Sequence, residues 1–293
     1  MEKYWELKKT LPNQANQEVI NEFLLSLKLE NRSDGTITHY RYFLERFFGD
    51  IKEDYSSLTS ETILQWFLEH QSHVKEATLH SRLAVLSSFY NFCVIEEHIS
   101  KSPMKSRWYP RLPHPIPKYL EKDDIAKTRL QIENVSIRNQ LLVEFMLVSG
   151  CRVGEVNNLN WEDVDLENRT ACVVGKGKKI RHVHFTDKCA VLFERYLTKR
   201  KIKSGALFVT TTGKRLGIRR IQVIIYEIGE LAALSKRLHP HRFRHTFATE
   251  LLAKGAELSF IGDELGHSQV ASTLIYARLP KREIVSLYRK YMG

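Results

Sequence analysis

Apolar residues recur at helical spacing through the first hundred positions. Val19, Ile20, Phe23, Leu24 and Leu27 fall on one face, the three-to-four-residue period of an amphipathic helix. Ile37, Tyr40, Leu44 and Phe47 repeat that pattern after Ser33-Asp-Gly-Thr36, whose small polar groups can cap the first amides, and Gly49 offers a stop. A third helix is predicted from Thr59 or Ser60 with Ile63, Trp66 and Phe67 inward. A fourth runs from about Ala77 to His98 through Leu79, Leu83, Leu86, Phe89 and Cys93. Together these stripes predict a four-helix domain over 1–101.

The pattern then breaks. Pro103, Pro110, Pro113, Pro115 and Pro117, mixed with Lys105, Arg107, Arg111, His114 and Lys118, mark 102–120 as an extended basic linker, because proline at that density interrupts helices and stiffens the chain. Over 121–293 the helical period returns with one β interruption. Leu141, Leu142, Phe145, Met146 and Val148 predict an apolar helix ending at Gly150. Val164–Leu166, Thr170–Val174 and Ile180–Phe185 read as short strands around turns at Asn168 and Gly175-Lys-Gly. Further helices are expected near 187–201, 219–234, 242–253, 259–265, 271–276 and 281–291. The fold class is therefore mostly α with a small β-sheet, in two domains.

Charge adds the first functional clue. The 293 residues carry 45 Lys and Arg against 34 Asp and Glu, a formal balance of +11. That excess suits a polyanionic partner, since phosphate contacts gain from counterion release; plain solubility gives the same balance. No apolar run is long enough for a membrane helix and the polar start is unlike a secretory signal, so a cytoplasmic protein without a membrane partner is expected. Cys93, Cys151, Cys172 and Cys189 form no CxxC pair, which fits reduced, buried thiols better than a disulfide framework.

Four local features carry candidate chemistry. In Ser149-Gly-Cys-Arg152-Val-Gly-Glu155, Arg152 enters a new turn after a helix-ending glycine, and Glu155 lies three residues on, where it can brace the guanidinium. A surface ion pair would look the same. The turn Gly175-Lys176-Gly177-Lys178-Lys179 sets an ammonium at a hairpin tip, and it equally fits a solvated basic turn. In His239-Pro-His241-Arg242-Phe-Arg244-His245, His241, Arg244 and His245 share one helical face. The arginines there disfavour zinc, so no metal is expected, and they suit an anion at a helix start. Finally, Leu265-Gly-His267-Ser268 precedes Tyr276 by nine residues; a tyrosine at a helix end is commonly a packing residue. Taken together, focused cations and one phenolic hydroxyl point to phosphoryl transfer without a metal.

The order and spacing of these residues resembles the tyrosine recombinase (phage integrase) family, which includes the Xer recombinases. Arg152 and Glu155 match its TGxRxxE-like box, Lys176 its GKGxKxR hairpin, His241 and Arg244 its HxLRH box with Phe243 in place of Leu, His267 its LGH, and Tyr276 its nucleophile. Ser33, Thr36 and Tyr40 resemble the signature of the family's amino-terminal core-binding domain, so the likeness spans nearly the whole chain. Departures are small: Cys151, Ile180 and Ala277-Arg278 replace commoner residues.

The resemblance implies a site-specific recombinase or integrase that cleaves and rejoins DNA through a 3′-phosphotyrosyl intermediate, with no cofactor, ATP or metal. In it Tyr276 is the nucleophile, Arg152 and Arg244 clamp the phosphate, His241 handles the tyrosine proton, His267 bonds the phosphate, Lys176 protonates the leaving oxygen and Glu155 orients. It implies a clamp of two domains on double-stranded recombination sites, and a homo-tetramer on synapsed DNA from a free monomer or weak dimer, with 281–291 docking on a neighbour. Expected DNA contacts are Arg32, Thr36, His39 and Arg41, then Lys75, His80 and Arg82, and Lys178 and Arg181 beside the hairpin. A DNA-binding regulator that keeps the fold, and a type IB topoisomerase, are the other readings the sequence leaves open.

Overall fold

A computed structural model of the chain describes residues 3–113, 117–175, 179–200 and 205–266. The chain divides into two compact units, Met1–His114 and Pro115–Gly293, and each has its own apolar core.

The first unit is built on α1 (Gln14–Leu29), α2 (Asp34–Asp50), α3 (Ser60–Gln71) and α4 (Glu76–Ile95). Side-chain caps set three of the starts: Asn13 accepts the Asn16 amide, Ser33 the Thr36 amide and Thr59 the Thr62 amide, each supplying a partner that a first-turn N–H otherwise lacks. The predicted apolar stripes turn inward, so that Ile20, Leu24, Leu44 and Leu86 are fully buried. Aromatic rings fill the centre, with Phe47 edge-on to Phe48 and to Trp66 at about 5 Å between centroids, a favoured geometry. Two boundaries differ from expectation. Gly49 lies inside the last turn of α2, which ends where Ile51 becomes extended. The fourth helix stops at Ile95, and Glu97 takes a left-handed conformation (φ 59°). Beyond it, Met104, Trp108 and Tyr109 pack against the same core, and the Tyr109 hydroxyl donates to Ser87 (2.7 Å).

In the second unit α5 (Lys122–Ile132), α6 (Ile137–Ser149) and α7 (Val153–Asn158) precede a three-stranded antiparallel sheet. Its strands β1 (Val164–Asp165), β2 (Thr170–Val174) and β3 (Ile180–His184) lie in chain order, with Ala171 opposite Val164 and Val183. Four helices follow: α8 (Asp187–Lys199), α9 (Ile218–Leu231), α10 (Pro240–Ala253) and α11 (Leu258–Leu265). Helix α6 is apolar nearly all round, and Leu141, Leu142, Val143, Phe145 and Met146 are fully buried, as befits a central helix. It packs against α8 and α10. Helices α5 and α7 lie outside the predicted set, because α5 buries only Ile125, Thr128 and Ile132 and α7 spans six residues. The helices expected over 271–276 and 281–291 lie outside the described residues.

At Gly150 the end of α6 is fixed. Its φ of 61° is left-handed, and a Cβ there would stand 2.5 Å from the Phe247 ring of α10. Glycine satisfies both constraints. The chain therefore turns abruptly out of the core and delivers Arg152 to the start of α7.

Candidate active site

Arg152 is the N-cap of α7, and its amide donates to Glu155 Oε2 (2.7 Å). Its guanidinium Nη1 donates to Glu155 Oε1 (2.9 Å) and reaches the Leu265 carbonyl (3.4 Å), leaving the side chain 34% exposed. Arg244 comes from α10, one turn after the exposed His241. Its Nη1 donates to the Gly150 carbonyl (2.8 Å) and its Nη2 to the same Leu265 carbonyl (2.6 Å). One oxygen at the end of α11 thus receives both arginines, and two guanidinium groups 92 positions apart in sequence become neighbours.

Glu155 is 3% exposed. Burial alone would raise its carboxyl pKa, but Arg181, the Arg152 amide and the Arg152 guanidinium outweigh it and hold the group below the usual carboxylate range. The Arg181 pair is bidentate, with Nη1 to Oε1 at 2.7 Å and Nη2 to Oε2 at 3.1 Å. Two guanidinium groups therefore share a single carboxylate, with a third, that of Arg244, held on the Leu265 carbonyl that Arg152 also reaches, and the local charge is positive. Nearby, the Gly175 amide closes the β2–β3 hairpin on the Lys179 carbonyl (2.8 Å), and a Cβ on Gly175 would stand 3.2 Å from Glu155 Oε1. The base of that hairpin is packed on the acid.

Helix α10 begins at Pro240, a residue suited to a first helical position. Phe243 is fully buried in the core, and Phe247 and Leu251 pack against Ala248, Ile261 and Leu265. His245 is pushed down to about 4, by burial first and then by His241 and Arg244, so it is neutral near pH 7. Arg242 is not part of the anion-facing set. At 2% exposure it donates to the carbonyls of Lys236 and Tyr119 and pairs with Asp124.

Of the expected catalytic residues, Arg152, Arg244 and His241 are described, with Glu155 beside them. Lys176, His267 and Tyr276, and the expected DNA contact Lys178, lie outside the described residues. Among the other expected DNA contacts, Arg32, His39 and Lys75 are exposed, and Thr36 and His80 are half-buried. Helices α2 and α4 pack together and His39 reaches across to the Ser81 hydroxyl (3.2 Å), so Thr36 and His39 share a surface with His80. Arg82 encloses its Nη1 without a hydrogen-bond partner among the described residues.

Two expectations are corrected. Arg41 is 2% exposed and points inward, donating to the Tyr4 carbonyl (3.3 Å) beside Glu45, so its guanidinium lies inside the N-terminal core and not on the surface. Arg181 is 9% exposed in its side chain and is spent on Glu155 and on the Glu264 carbonyl; its guanidinium is buried and not on the surface. Sequence reasoning missed the Leu265 carbonyl altogether. A backbone acceptor has no residue signature, and only the left-handed glycine after it (Gly266, φ 62°) hints at an ordered turn.

Two family models match the chain. The phage integrase family covers residues 118–283, and the phage integrase N-terminal SAM-like domain covers 20–97. The tyrosine recombinase XerC of Halalkalibacterium halodurans is 31% identical over 94% of this chain and 97% of its own length. The chain belongs to the phage integrase family. It is a tyrosine-type site-specific recombinase, as its motifs led one to expect. The XerC of Oceanobacillus iheyensis is 32% identical to this recombinase over 92% of the chain and 94% of its own length. Among solved structures, XerA recombinase is similar at 26% identity and a TM-score of 0.56, covering 94% of this chain and 98% of that one. A λ integrase dimer bound to a core site shares the fold, with a TM-score of 0.74 at 16% identity over 88% of this chain and 94% of that one. No helix among the described residues of the recombinase is long and apolar enough to cross a membrane.

Proposed function

We propose that the recombinase cleaves and rejoins DNA strands at the Arg152–Arg244 site with Tyr276 as nucleophile. The observation that carries this reading is the convergence of both guanidinium groups on the Leu265 carbonyl, with Arg152 still one-third exposed. Two fixed, planar cations side by side match the two non-bridging oxygens of a phosphodiester, and Glu155 neutralises only part of their charge.

The steps follow from chemistry. The Tyr276 oxygen attacks phosphorus, its proton passing to His241, and the bond from phosphorus to the 5′-oxygen breaks as Lys176 protonates that leaving oxygen to the 5′-hydroxyl. His267 donates to the phosphate in the transition state, when charge on the oxygens is greatest. The 3′-phosphotyrosyl ester keeps the energy of the broken bond, so the 5′-hydroxyl of another strand reseals it by the reverse proton transfers, without ATP. Exchange between two duplexes uses four active sites, which makes a tetramer on DNA the working assembly. The partner is double-stranded DNA, in line with solved relatives bound to their DNA sites, such as XerH with its difH substrate. The two units would then act as a clamp around one duplex, joined by the stretch 102–120, with contacts from Arg32, Thr36, His39, Lys75 and His80.

A nicked suicide substrate that releases its 5′ fragment on cleavage tests the reading. Wild type should form a covalent protein–DNA adduct, and Tyr276→Phe should bind the same DNA without one. Binding without adduct by both proteins would mark a DNA-binding regulator. Relaxation of supercoils without strand exchange would mark a topoisomerase.

A further inference from the structure

We propose that Arg181 is a positioning residue that sets the geometry of the phosphate clamp from the hairpin side; the inference rests on the proposed function above. Its three donor directions go to two elements. Nη1 and Nη2 grip both oxygens of Glu155 on α7, and Nε donates to the Glu264 carbonyl at the end of α11 (3.1 Å). Glu155 in turn holds Arg152 by backbone and side chain, and the next carbonyl after Glu264, that of Leu265, receives Arg152 and Arg244. Arg181 itself lies on β3, just past the hairpin turn. A single guanidinium therefore joins the hairpin, the Arg152 segment and the acceptor of both arginines.

The packing is built for an arginine. A Cβ on Gly266 would stand 2.8 Å from Arg181 Cδ, so the left-handed glycine lets the chain cross directly over the side-chain stem. A second tie between the same strand and helix runs from His184 Nδ1 to the Glu264 carboxylate (2.9 Å), which leaves the Glu264 backbone fixed opposite Arg181. Lysine at position 181 would keep the charge but could not serve a carboxylate in two places and a carbonyl in a third. An error near 1 Å in a reacting geometry costs about 10²-fold in rate. This brace acts before and during chemistry while touching no phosphate, so it should change the cleavage rate and leave DNA affinity alone.

The test compares wild type, Arg181→Lys, Arg181→Met, Glu155→Gln and the double variant Glu155→Gln with Arg181→Met. DNA affinity and its salt dependence are measured by titration, and single-turnover cleavage on the suicide substrate. Expected for Arg181→Lys and Arg181→Met is wild-type affinity and salt slope with cleavage ~10–100-fold slower. The double variant should cleave no more slowly than Glu155→Gln alone, because both changes release one brace. If the methionine variant does not fold, the lysine variant, which keeps the charge, carries the comparison. Unchanged cleavage, fully additive effects in the double variant, or a salt slope reduced by about one phosphate contact overturns the inference. A wild type that forms no adduct overturns the proposed function and this inference together; a wild type that does, beside Arg181 variants of equal rate, overturns this inference alone.

Discussion

Each unit of this recombinase buries an arginine against a glutamate, and the two clusters are built to opposite ends. In the first unit Arg41 and Glu45 lie one turn apart on α2, 2% and 4% exposed in their side chains. Their remaining bonds close on the N-terminal segment, with Arg41 donating to the Tyr4 carbonyl and Glu45 accepting the Lys8 amide (2.6 Å). One positive group meets one negative group. In the second unit Glu155 is equally buried, yet Arg152 and Arg181 both share it, Arg244 lies beside them, and Arg152 stays partly in solvent. A balanced pair sealed from water fixes a segment. A cluster with surplus cations and one open edge is prepared for an anion that arrives later. Burial of charge by itself does not distinguish structure from function; the balance and the open edge do.

The largest expected effect tests this contrast directly. Glu155→Gln leaves Arg181 enclosed without a counter-charge, and Glu45→Gln does the same to Arg41. Each should cost about 3–5 kcal/mol in urea unfolding, the usual penalty for stripping one partner from a buried ion pair. Only Glu155→Gln should also slow cleavage, and only that variant should recover stability on adding inorganic phosphate, which can fill the vacated anion position. Equal phosphate responses from both variants would erase the distinction.

Next in size is Arg244→Lys. Arg244 sends separate donors to the Gly150 and Leu265 carbonyls, which one ammonium cannot reproduce in the same plane. Cleavage should fall ~10²–10³-fold, as on losing one preorganised donor to a developing oxyanion, with DNA affinity held within a few-fold. An Arg244→Lys protein as fast as wild type would remove this residue from the clamp.

Much of this arrangement was legible in the chain. The stripes of α1 to α4 and α6, the caps at Ser33 and Thr59 and the αL glycine at 150 follow from local rules, because their partners are near in sequence or simply apolar. The pairing of Arg152 with Glu155 is local too. What was not legible is long-range and polar. Arg41 and Arg181 sit among bases that look alike in sequence, and their fates depend on Tyr4, Glu155 and Glu264, up to 83 positions away. Helical phase does put Arg41 with Ile37 and Leu44 on the inner face of α2, a signal outweighed by the expectation that an arginine near Thr36 and His39 contacts a ligand.

A smaller effect comes from pH. His245 titrates at about 4 in the folded protein, well below its ordinary 6.5. The unfolded chain therefore takes up a proton first, and stability should decline as pH falls from 6.5 toward 4. His245→Asn should flatten that part of the curve. Glu155 contributes in a separate window: its folded carboxyl lies below the ordinary 4.5, so its stabilisation is present above that value and is lost as pH falls further. Glu155→Gln should lower the curve throughout the neutral range and change its slope only there. The first unit's pair offers a control, since Glu45→Gln should leave the 6.5-to-4 segment as steep as in wild type.

The smallest effect asks whether exposure separates the arginines of α2 and its approach as cleanly as the clusters suggest. Arg32, just before α2, is exposed and pairs with exposed Glu30 (3.0 Å), a contact worth little in water. Arg41, on the helix itself, is sealed. If the first unit grips DNA through the α2–α4 surface, Arg32→Ala should weaken binding modestly, lower the slope of log affinity against log salt by about 1, and leave unfolding unchanged. Arg41→Met should do the reverse, lowering stability while the fraction that remains folded keeps the wild-type salt slope. Should Arg41→Met flatten the slope and Arg32→Ala leave it alone, the DNA face would lie on the side of α2 that now holds Tyr4, and the N-terminal segment would have to leave Arg41 when DNA binds.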